Sequence, residues 1–492
     1  MVPVLLILIP LLAGIVSFFI SNEKTARAWA LLASLITLLV SILGLTVLKD
    51  SSNLAFEASW LGSLGSSFSV KLDGMGQILC LLTAVSYPII FISTWHTPFK
   101  KANNFFGLML LAQAGLMGVF LSMDALLFYF FWELALIPVY FLCSQWGGER
   151  RIAVTFKFFI YTFIGSLLML VGILYLYSQT PGSSFAIADF YNINLPNNVQ
   201  SRIFWLMFIA FAIKMPIFPF HTWQPDTYEQ TNYATTMVLS GIMVKMGVFG
   251  LVRWLLPVLP AASYAWGDTV STLAIIGMIY ASLIAIRQND LKRLVAYSSI
   301  AHIGLMCVAI FAETESGMQG VMIQMFNHGI NIIALWIVVE IIERQFGTRK
   351  ISELGGLAKK MPALSILMMV VALANIALPL TNSFIGEFLM FNGIFGSTIT
   401  KYNVVFMVCA GITIILAAIY TLNMIRRVFY GEANELTINA VDIRANEKWI
   451  LVAVVVLIFV IGVYPQTMLN ISSETVNGIL KEADITPYLI GK

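Results

Sequence analysis

The chain has few charged residues for its length. Asp, Glu, Lys and Arg make up 11% of its 492 residues, against about 25% in a typical soluble protein. Hydrophobic residues make up 59%, and apolar runs of roughly 20 residues, enough to span a bilayer as a helix, recur along the whole sequence. The composition excludes an ordinary soluble domain and predicts a polytopic protein embedded in the lipid bilayer.

The chain also lacks the residues that hold most cofactors and polyanions. Its four cysteines lie far apart in apolar runs without a Cys-x-x-Cys pair, which argues against disulfides, iron–sulfur clusters and zinc. The net charge is only +3 and the basic residues lie in short loops, so nucleic acid is not an expected partner. The sequence has no nucleotide-binding loop and no nucleophile constellation. We therefore expect no cofactor and no metal in this chain.

The apolar runs predict an all-α bundle with 14 membrane spans. Their ranges are 2–20, 28–48, 76–96, 105–122, 125–146, 155–178, 203–222, 233–256, 269–287, 294–312, 319–343, 362–392, 403–429 and 447–468. The predicted segments are an N-terminal three-helix segment (1–104), a first five-helix repeat (105–258), a second, inverted five-helix repeat (259–430) and a C-terminal helix (431–492).

The lysines and arginines of the loops set the expected orientation. If the N-terminus lies outside, 14 spans put most of them on the cytoplasmic side and both termini on the periplasmic side of a bacterial inner membrane. Four basic residues fall inside spans. We expect Arg253 to snorkel outward from a helix end and Lys157 to lie one turn from the inner surface. Lys214 and Lys245 lie too deep to reach either surface.

Two long apolar runs are interrupted by proline. The first, AFAIKMPIFPFHTWQPD (210–226), breaks span 7, and the second, ALANIALPLTNSFIGEF (372–388), breaks span 12 at Pro379 and a polar patch. Pro216 removes a backbone donor, which would leave the carbonyl of Ala212 open. The breaks lie five spans apart. Because this offset is odd, the two broken helices, and the repeats that contain them, cross the membrane in opposite directions. Paired broken helices in inverted halves point to a transport pathway at the midplane.

Two opposite charges lie at mid-depth near the first break. Glu133 lies in the apolar run LLFYFFWELALIPVYF. Insertion of a charged side chain at this depth costs at least about 2.5–3.5 kcal/mol, so we expect Glu133 to have a function. Lys214 precedes Pro216, where open backbone is stable only inside protein or along a wet cavity. We predict that both transfer protons. The structural alternatives are a permanent salt bridge between them and a Glu133 carboxyl that is kept protonated.

Further titratable groups lie at similar depth in other spans. Lys245 is bordered by Gly241 and Gly247, which allow close approach of another helix, and Glu387 follows the second break. We predict a functional role for Lys245 and Glu387, because a buried charge without a function is costly.

Three of the four histidines are candidates for proton transfer. His302 and His328 lie within spans 10 and 11, where a relay role competes with that of a satisfied core histidine. His221, after the first break, fits proton entry and helix capping equally well. One pair of histidines is too few for a di-haem cytochrome b, so haem is not expected. A line of titratable groups at mid-depth, with little other chemistry, is typical of proton or cation transfer across a membrane.

Several motifs are similar to those of a known family. KMPIFPFHTWQPD, FFWELALIPVYFL, MVKMGVFGLVR, LKRLVAYSSIAHIG and FIGEF resemble the antiporter-like subunits of respiratory complex I and the related Mrp cation/proton antiporters. In that family the fold has 14 helices, with two inverted five-helix repeats that each contain a broken helix. The roles that the resemblance implies are an intramembrane pair (Glu133 and Lys214), a central relay (Lys245), a connecting polar axis (His302 and His328) and a terminal group (Glu387) that faces the periplasmic exit or the next subunit.

Two details place the chain within the family. Glutamate rather than lysine at position 387, together with a short C-terminal segment, resembles one branch of the complex I subunits. One departure is Leu380, where the family often has glycine after the proline of span 12. This departure from the family pattern leaves the shape of the second break open.

The resemblance also implies partners and cofactors. The partners would be the other membrane-arm subunits of complex I, especially two other antiporter-like subunits, while FMN, iron–sulfur clusters and quinone would belong to other subunits. The implied function is proton translocation coupled to electron transfer elsewhere in the complex. A subunit of an Mrp-type Na⁺/H⁺ antiporter or of a membrane-bound hydrogenase is the first alternative. A structural membrane scaffold, tolerant of alanine at Lys214 and Lys245, is the second.

Overall fold

Helices make up most of the computed structural model, which describes residues 1–485. The elements up to the first break are α1 (Val2–Ser17), α2 (Glu23–Thr46), α3 (Ser51–Leu54), β1 (Ala55–Leu61), β2 (Ser66–Lys71), α4 (Gly74–Ser93), α5 (Ala102–Leu121), α6 (Ala125–Gln145), α7 (Arg151–Gln179), α8 (Ile187–Tyr191) and α9 (Asn197–Lys214). Those in the middle of the chain are α10 (Trp223–Gln230), α11 (Tyr233–Val238), α12 (Val244–Gly250), α13 (Pro260–Arg287), α14 (Leu291–Phe311) and α15 (Glu315–Phe346). The last elements are α16 (Leu357–Lys360), α17 (Pro362–Asn375), α18 (Asn382–Phe395), α19 (Asn403–Val428), α20 (Ala445–Val463) and α21 (Gln466–Glu482).

Within residues 1–485, 11 helical segments are long and apolar enough to cross a membrane. Two further apolar helices, α1 and α17, are shorter. The prediction of a helical, polytopic membrane protein is confirmed. The count of 14 spans and the division into two inverted repeats stay predictions.

A small β-hairpin contradicts the prediction that the fold is entirely α-helical. Strands β1 and β2 pair antiparallel, and their turn contains Gly65 in the left-handed region, at φ 70°, a conformation that glycine adopts without steric cost. Phe56 and Phe68 lie on opposite strands with ring centroids 6.2 Å apart. Apolar side chains in this polar segment are too few for a span, but they suffice for cross-strand packing.

The C-terminal segment holds two helices rather than the single helix that we predicted. Helix α21 follows α20 and packs on α4 and α15 through Met468, Val476 and Ile479, which are buried. The Thr475 hydroxyl accepts a hydrogen bond of 2.9 Å from the backbone N–H of Gly74. The apolar residues of α21 repeat every three or four positions, the pattern of a helix that lies on a surface. The end of the segment, 486–492, lies outside the described residues.

The innermost helices are α14, α15 and the segment Tyr233–Leu255, and nearly all of their side chains are buried. Helices α2, α7, α19 and α20 lie outside them and expose many apolar side chains, as helices in contact with lipid do. The polar residues in the middle of α14 and α15 are therefore shielded by protein.

The structure contains both broken helices. Helix α9 ends at Lys214 and the chain becomes helical again at Trp223, while α17 ends at Asn375 and α18 begins at Asn382. The prediction that the carbonyl of Ala212 stays open is wrong, because it accepts a hydrogen bond of 2.9 Å from the backbone N–H of Ile217. The donor lost at proline is replaced by the next one along the chain.

Leu380 adopts a conformation that usually requires glycine. Its φ is 74°, in the left-handed region, where Cβ crowds the backbone. The loop also approaches α20 closely, since a Cβ on Gly462 would lie 2.2 Å from the carbonyl oxygen of Leu380. Leucine at this position therefore adopts a left-handed turn that glycine would form without steric cost.

Candidate functional site

Lys245 lies in the centre of the bundle, between two π-helical turns. The turns are Leu239–Met243 and Leu251–Leu255, and such bulges inside α-helices often occur at functional sites. The Lys245 side chain is fully buried. Its Nζ lies 3.0 Å from the carbonyl oxygen of Ser240 and 2.8 Å from Nδ1 of His328. The lysine thus contacts a carbonyl and an imidazole, and forms no ion pair within residues 1–485.

From His328 the line of titratable groups continues to α14 and α18. The rings of His328 and His302 lie 5.6 Å apart between centroids, and Nδ1 of His302 lies 3.1 Å from Oε1 of Glu387. Gln324 Nε2 donates a hydrogen bond of 3.4 Å to the same oxygen. The structure therefore brings together four of the predicted residues, Lys245, His328, His302 and Glu387.

Both histidines of this line have one bonded and one unbonded nitrogen. Each uses Nδ1 in the contacts given above, and each Nε2 is buried without a hydrogen-bond partner among the described residues. A neutral imidazole has one donor nitrogen and one acceptor nitrogen. It can accept a proton on one and release another from the other. The free Nε2 atoms are therefore available for exchange with a mobile proton carrier.

Asparagines hold the second break against α15. Asn331 and Asn382 exchange side-chain hydrogen bonds of 3.0 and 3.1 Å, and Asn331 also donates to the Ser383 hydroxyl at 2.9 Å. Asn327 donates to the carbonyl of Asn382 at 2.8 Å. These bonds fix the first turn of α18, and Glu387 follows one turn later. They show how the polar patch of the second break positions the carboxylate.

Glu133 and Lys214 do not touch. They form no ion pair, and within residues 1–485 Lys214 Nζ and Glu133 Oε1 are both buried without a hydrogen-bond partner. The Lys214 ammonium instead lies 5.6 Å from the ring centroid of Trp132 and 5.9 Å from that of Phe158. The structural alternative of a direct salt bridge between the two residues is therefore wrong for this conformation.

The other candidate histidine, His221, lies away from the line. It is buried in the first break, where its ring packs on Phe218 and Tyr280 at centroid distances of 5.7 and 5.4 Å. The structure does not bring it into contact with Lys214 or Lys245.

Charged side chains form a network at one end of the bundle, here called the basic end. It carries the loops 94–101, 146–150, 288–290 and 347–361, and these loops together with the helix ends beside them are rich in lysine and arginine. Asp226 bonds Lys157 at 2.8 Å and Arg293 at 3.2 Å, and Glu229 bonds Arg293 at 2.7 Å. Burial acts to raise the pKa of Asp226, but the hydrogen bonds and charges of Lys157 and Arg293 outweigh it and hold the pKa below its usual range.

Arg253 does not snorkel to the surface, contrary to prediction. Its side chain is 7% exposed and forms an ion pair with Asp73, and its carbonyl accepts a hydrogen bond of 3.0 Å from the Tyr191 hydroxyl. Asp73 also caps the N-terminus of α4. Arg253 follows Lys245 by eight residues, so the pair anchors the helix that carries the central lysine.

Glu340 is a buried carboxylate for which we did not predict a role from the sequence. This carboxylate on α15 is buried, accepts a hydrogen bond of 2.9 Å from the Thr97 hydroxyl, and lines a cavity of about 290 Å³ at the basic end together with Lys292 and Glu343. It lies in the apolar run WIVVEII, so the criterion that singled out Glu133 also applies to it. Within residues 1–485, no group of three or more His, Cys, Asp and Glu side chains is placed to hold a metal ion.

Comparisons with known proteins decide the family. The family described as NADH:quinone oxidoreductase/Mrp antiporter, TM, matches residues 122–416. NADH-quinone oxidoreductase subunit M of Rickettsia bellii is 38% identical over 457 residues, which cover 92% of this chain and 91% of the relative. This chain belongs to the NADH:quinone oxidoreductase/Mrp antiporter family.

Two further comparisons extend across nearly the whole chain. F(420)H(2) dehydrogenase subunit M of Methanosarcina mazei is 35% identical over 503 residues, covering 98% of this chain and 99% of the relative. A chain of respiratory complex I from Thermus thermophilus with bound NADH has the same fold, with a TM-score of 0.89, 25% identity and coverage of 98% and 100%. The resemblance of the sequence to the antiporter-like subunits of this family, and to their subunit M branch, is confirmed.

Proposed function

We propose that this chain moves protons across a bacterial inner membrane as a membrane-arm subunit of an NADH:quinone oxidoreductase. The observation that carries the proposal is the line Lys245–His328–His302–Glu387, buried at the centre of the bundle. Each member can bind and release a proton. Electron transfer, with its FMN, iron–sulfur clusters and quinone, belongs to other subunits, and the chain itself is a non-redox part of the enzyme.

The proton path begins in the first predicted repeat, 105–258, and ends in the second, 259–430. Lys214 and Lys245 lie on helices that pack on each other, because Gly247 of α12 lies against the last turn of α9. A proton that leaves Lys245 reaches Nδ1 of His328. It passes to His302 through ring rotation or a water molecule, and it ends on Glu387. Glu133 modulates the charge of Lys214 from a distance.

We infer that the basic end of the bundle lies in the cytoplasm, because cytoplasmic loops carry an excess of lysine and arginine. Both termini then lie on the periplasmic side. Glu387 would deliver its proton to the periplasm or to a neighbouring subunit. The other antiporter-like subunits of the membrane arm are the proposed partners.

The test is a Lys245→Ala substitution in the assembled complex, reconstituted in vesicles. The number of protons moved per NADH oxidised should fall, because the line loses its central member, whereas Lys360→Ala, an exposed lysine of α16, should leave it unchanged. Equal proton movement by Lys245→Ala and the wild type would refute the proposal. Normal assembly combined with lost pumping would exclude the scaffold alternative.

A second candidate function is Na⁺/H⁺ antiport, which the family's inclusion of Mrp antiporters supports. Replacement of sodium by potassium in the vesicle experiment separates the two functions. Proton movement that stays constant supports the proton-only path, and movement that requires sodium supports antiport. Copurification of peripheral flavin and iron–sulfur subunits would identify the NADH:quinone oxidoreductase.

A further inference from the structure

A cluster of three polar side chains adjoins the line described above without belonging to it. The Tyr420 hydroxyl of α19 donates a hydrogen bond of 2.9 Å to the Ser298 hydroxyl of α14, and Asn375 at the end of α17 donates to the same oxygen at 3.2 Å. All three side chains are buried. Ser298 precedes His302 by four residues, so both lie on the same face of α14, one turn apart.

Two small cavities meet at Tyr420. The first has a volume of about 20 Å³ and is lined by His302, Glu387 and Tyr420 together with apolar side chains and Thr413. The second, also about 20 Å³, is lined by Tyr420, Ser298 and Asn375, and otherwise mainly by apolar residues, among them Leu291 and Phe429. Such a volume is large enough for one water molecule, provided that polar partners are present.

The second cavity lies toward the basic end. Leu291 is the first residue of α14 and Phe429 follows the last residue of α19, and both positions adjoin the basic loops. The hydroxyls of Tyr420 and Ser298 therefore lie between the carboxylate of Glu387 and the basic end of the bundle. The line from Lys245 to Glu387 does not supply this connection.

We propose that Tyr420 and Ser298 form a hydroxyl link that carries protons between the basic end of the bundle and Glu387. Each hydroxyl oxygen accepts one proton while its own proton passes to the next acceptor, and rotation of the O–H bond resets the link. No bond to carbon changes and the link keeps its charge. Asn375 donates to Ser298 and keeps that oxygen in place. Glu387 would thus receive protons from the basic end, through this link, as well as from Lys245.

The competing explanation is that the cluster only stabilises the packing of α14, α17 and α19. A hydrogen-bonded tyrosine and serine would then satisfy each other in the core, as most buried polar groups do. The two explanations differ in what the hydroxyl does during turnover, not in where it lies. They can be separated by variants that remove or keep the hydroxyl while they keep the shape of the side chain.

The experiment measures protons moved per NADH oxidised by the assembled complex in vesicles. The inference rests on the proposed function, so Lys245→Ala provides the reference loss. Tyr420→Phe and Ser298→Ala should each lower the ratio by at least about half of that reference loss. Ser298→Thr, which keeps the hydroxyl, should stay near the wild type. Tyr402→Phe, at the exposed end of the same helix, is the matched control and should have no effect.

The double variant Tyr420→Phe/Ser298→Ala adds a test of linkage. If both hydroxyls belong to one link, the double variant should pump no worse than the more damaged single variant, because effects within one chain of contacts are not additive. Full pumping by Tyr420→Phe and Ser298→Ala, with pumping lost in Lys245→Ala, would overturn the link and leave the proposed function standing. Full pumping by Lys245→Ala would overturn the proposed function. If Tyr420→Phe does not assemble, the Ser298→Ala and Ser298→Thr pair decides.

Discussion

At the scale of single residues, Lys245 combines full burial with two neutral contacts. A carbonyl and an imidazole surround its Nζ, and no carboxylate within residues 1–485 pairs with it to hold it permanently charged. A lysine in this position can exchange its proton. An arginine would stay protonated, and its planar head would need more space than the contacts of 2.8 and 3.0 Å leave.

Lys245→Arg therefore distinguishes a proton carrier from a fixed charge. We expect the variant to lose nearly as much pumping as Lys245→Ala, although it keeps the positive charge. Proton movement per NADH oxidised is the measurement, with assembly and electron transfer checked in the same preparation. A well-assembled Lys245→Arg complex that pumps fully would show that the lysine acts only as a fixed positive charge.

Leu380 carries backbone strain that glycine would remove. A non-glycine residue in the left-handed region costs about 1–2 kcal/mol, and the φ of Leu380 is 74°. We expect Leu380→Gly to stabilise the complex by about 1 kcal/mol, visible as a higher midpoint of thermal unfolding. Leu378→Gly is the matched control, since Leu378 has no positive φ and glycine there should destabilise. A lower midpoint for Leu380→Gly would contradict the strain argument.

At the scale of elements, close helix packing depends on residues without a side chain. A Cβ on Gly247 would lie 2.7 Å from the carbonyl oxygen of Phe211 and 2.9 Å from the backbone nitrogen of Met215, atoms of the first break that cannot move away easily. This contact sets the distance between α12 and the end of α9, and hence between Lys245 and Lys214.

Gly247→Ala should destabilise the complex and weaken pumping. Overpacking of this kind costs about 1–3 kcal/mol, because α12 must move away from the broken helix. Gly411→Ala, on α19, is the control: a Cβ there meets no atom within 4 Å, and alanine favours a helix interior by up to about 1 kcal/mol over glycine. Thermal unfolding of the two variants should shift in opposite directions, and equal shifts would refute the packing argument.

At the scale of the whole molecule, titratable groups lie at both ends of the bundle. The basic end holds the network around Asp226, Glu229 and Arg293. At the opposite end, Glu313 lies in the turn between α14 and α15. Burial, and then the nearby charge of Asp484, raise the pKa of Glu313 to about 8.

This raised pKa makes stability depend on pH. The folded protein retains a proton on Glu313 at pH values where the unfolded chain, with a pKa near 4.5, has lost it. The free energy of unfolding therefore falls as pH rises from about 4.5 to about 8, and it levels off above that range. Glu313→Gln cannot ionise and should unfold at a higher temperature than the wild type at pH 8.5, with a smaller difference at pH 5. A difference that does not depend on pH would exclude the effect.

The sequence by itself predicted the features that the bilayer imposes. Apolar runs must form helices, since unpaired backbone groups are too costly in lipid, so most elements were recognisable without tertiary information. Prolines and deep charges are exceptions in such runs, and for that reason Lys214, Lys245 and Glu387 stood out. Glu340 met the same criterion and was missed. The sequence motifs also sufficed to identify the family.

Only the tertiary structure decided which of these residues meet. Lys245 and His328 are separated by 83 positions in the chain, and Arg253 and Asp73 by 180, so their contacts depend on how each helix is rotated and packed. The same holds for the distance between Glu133 and Lys214 and for the hydroxyls of Ser298 and Tyr420, which are ordinary residues in the sequence. The bilayer imposes helices on every span alike, whereas side-chain packing between helices fixes the order of groups along a proton path.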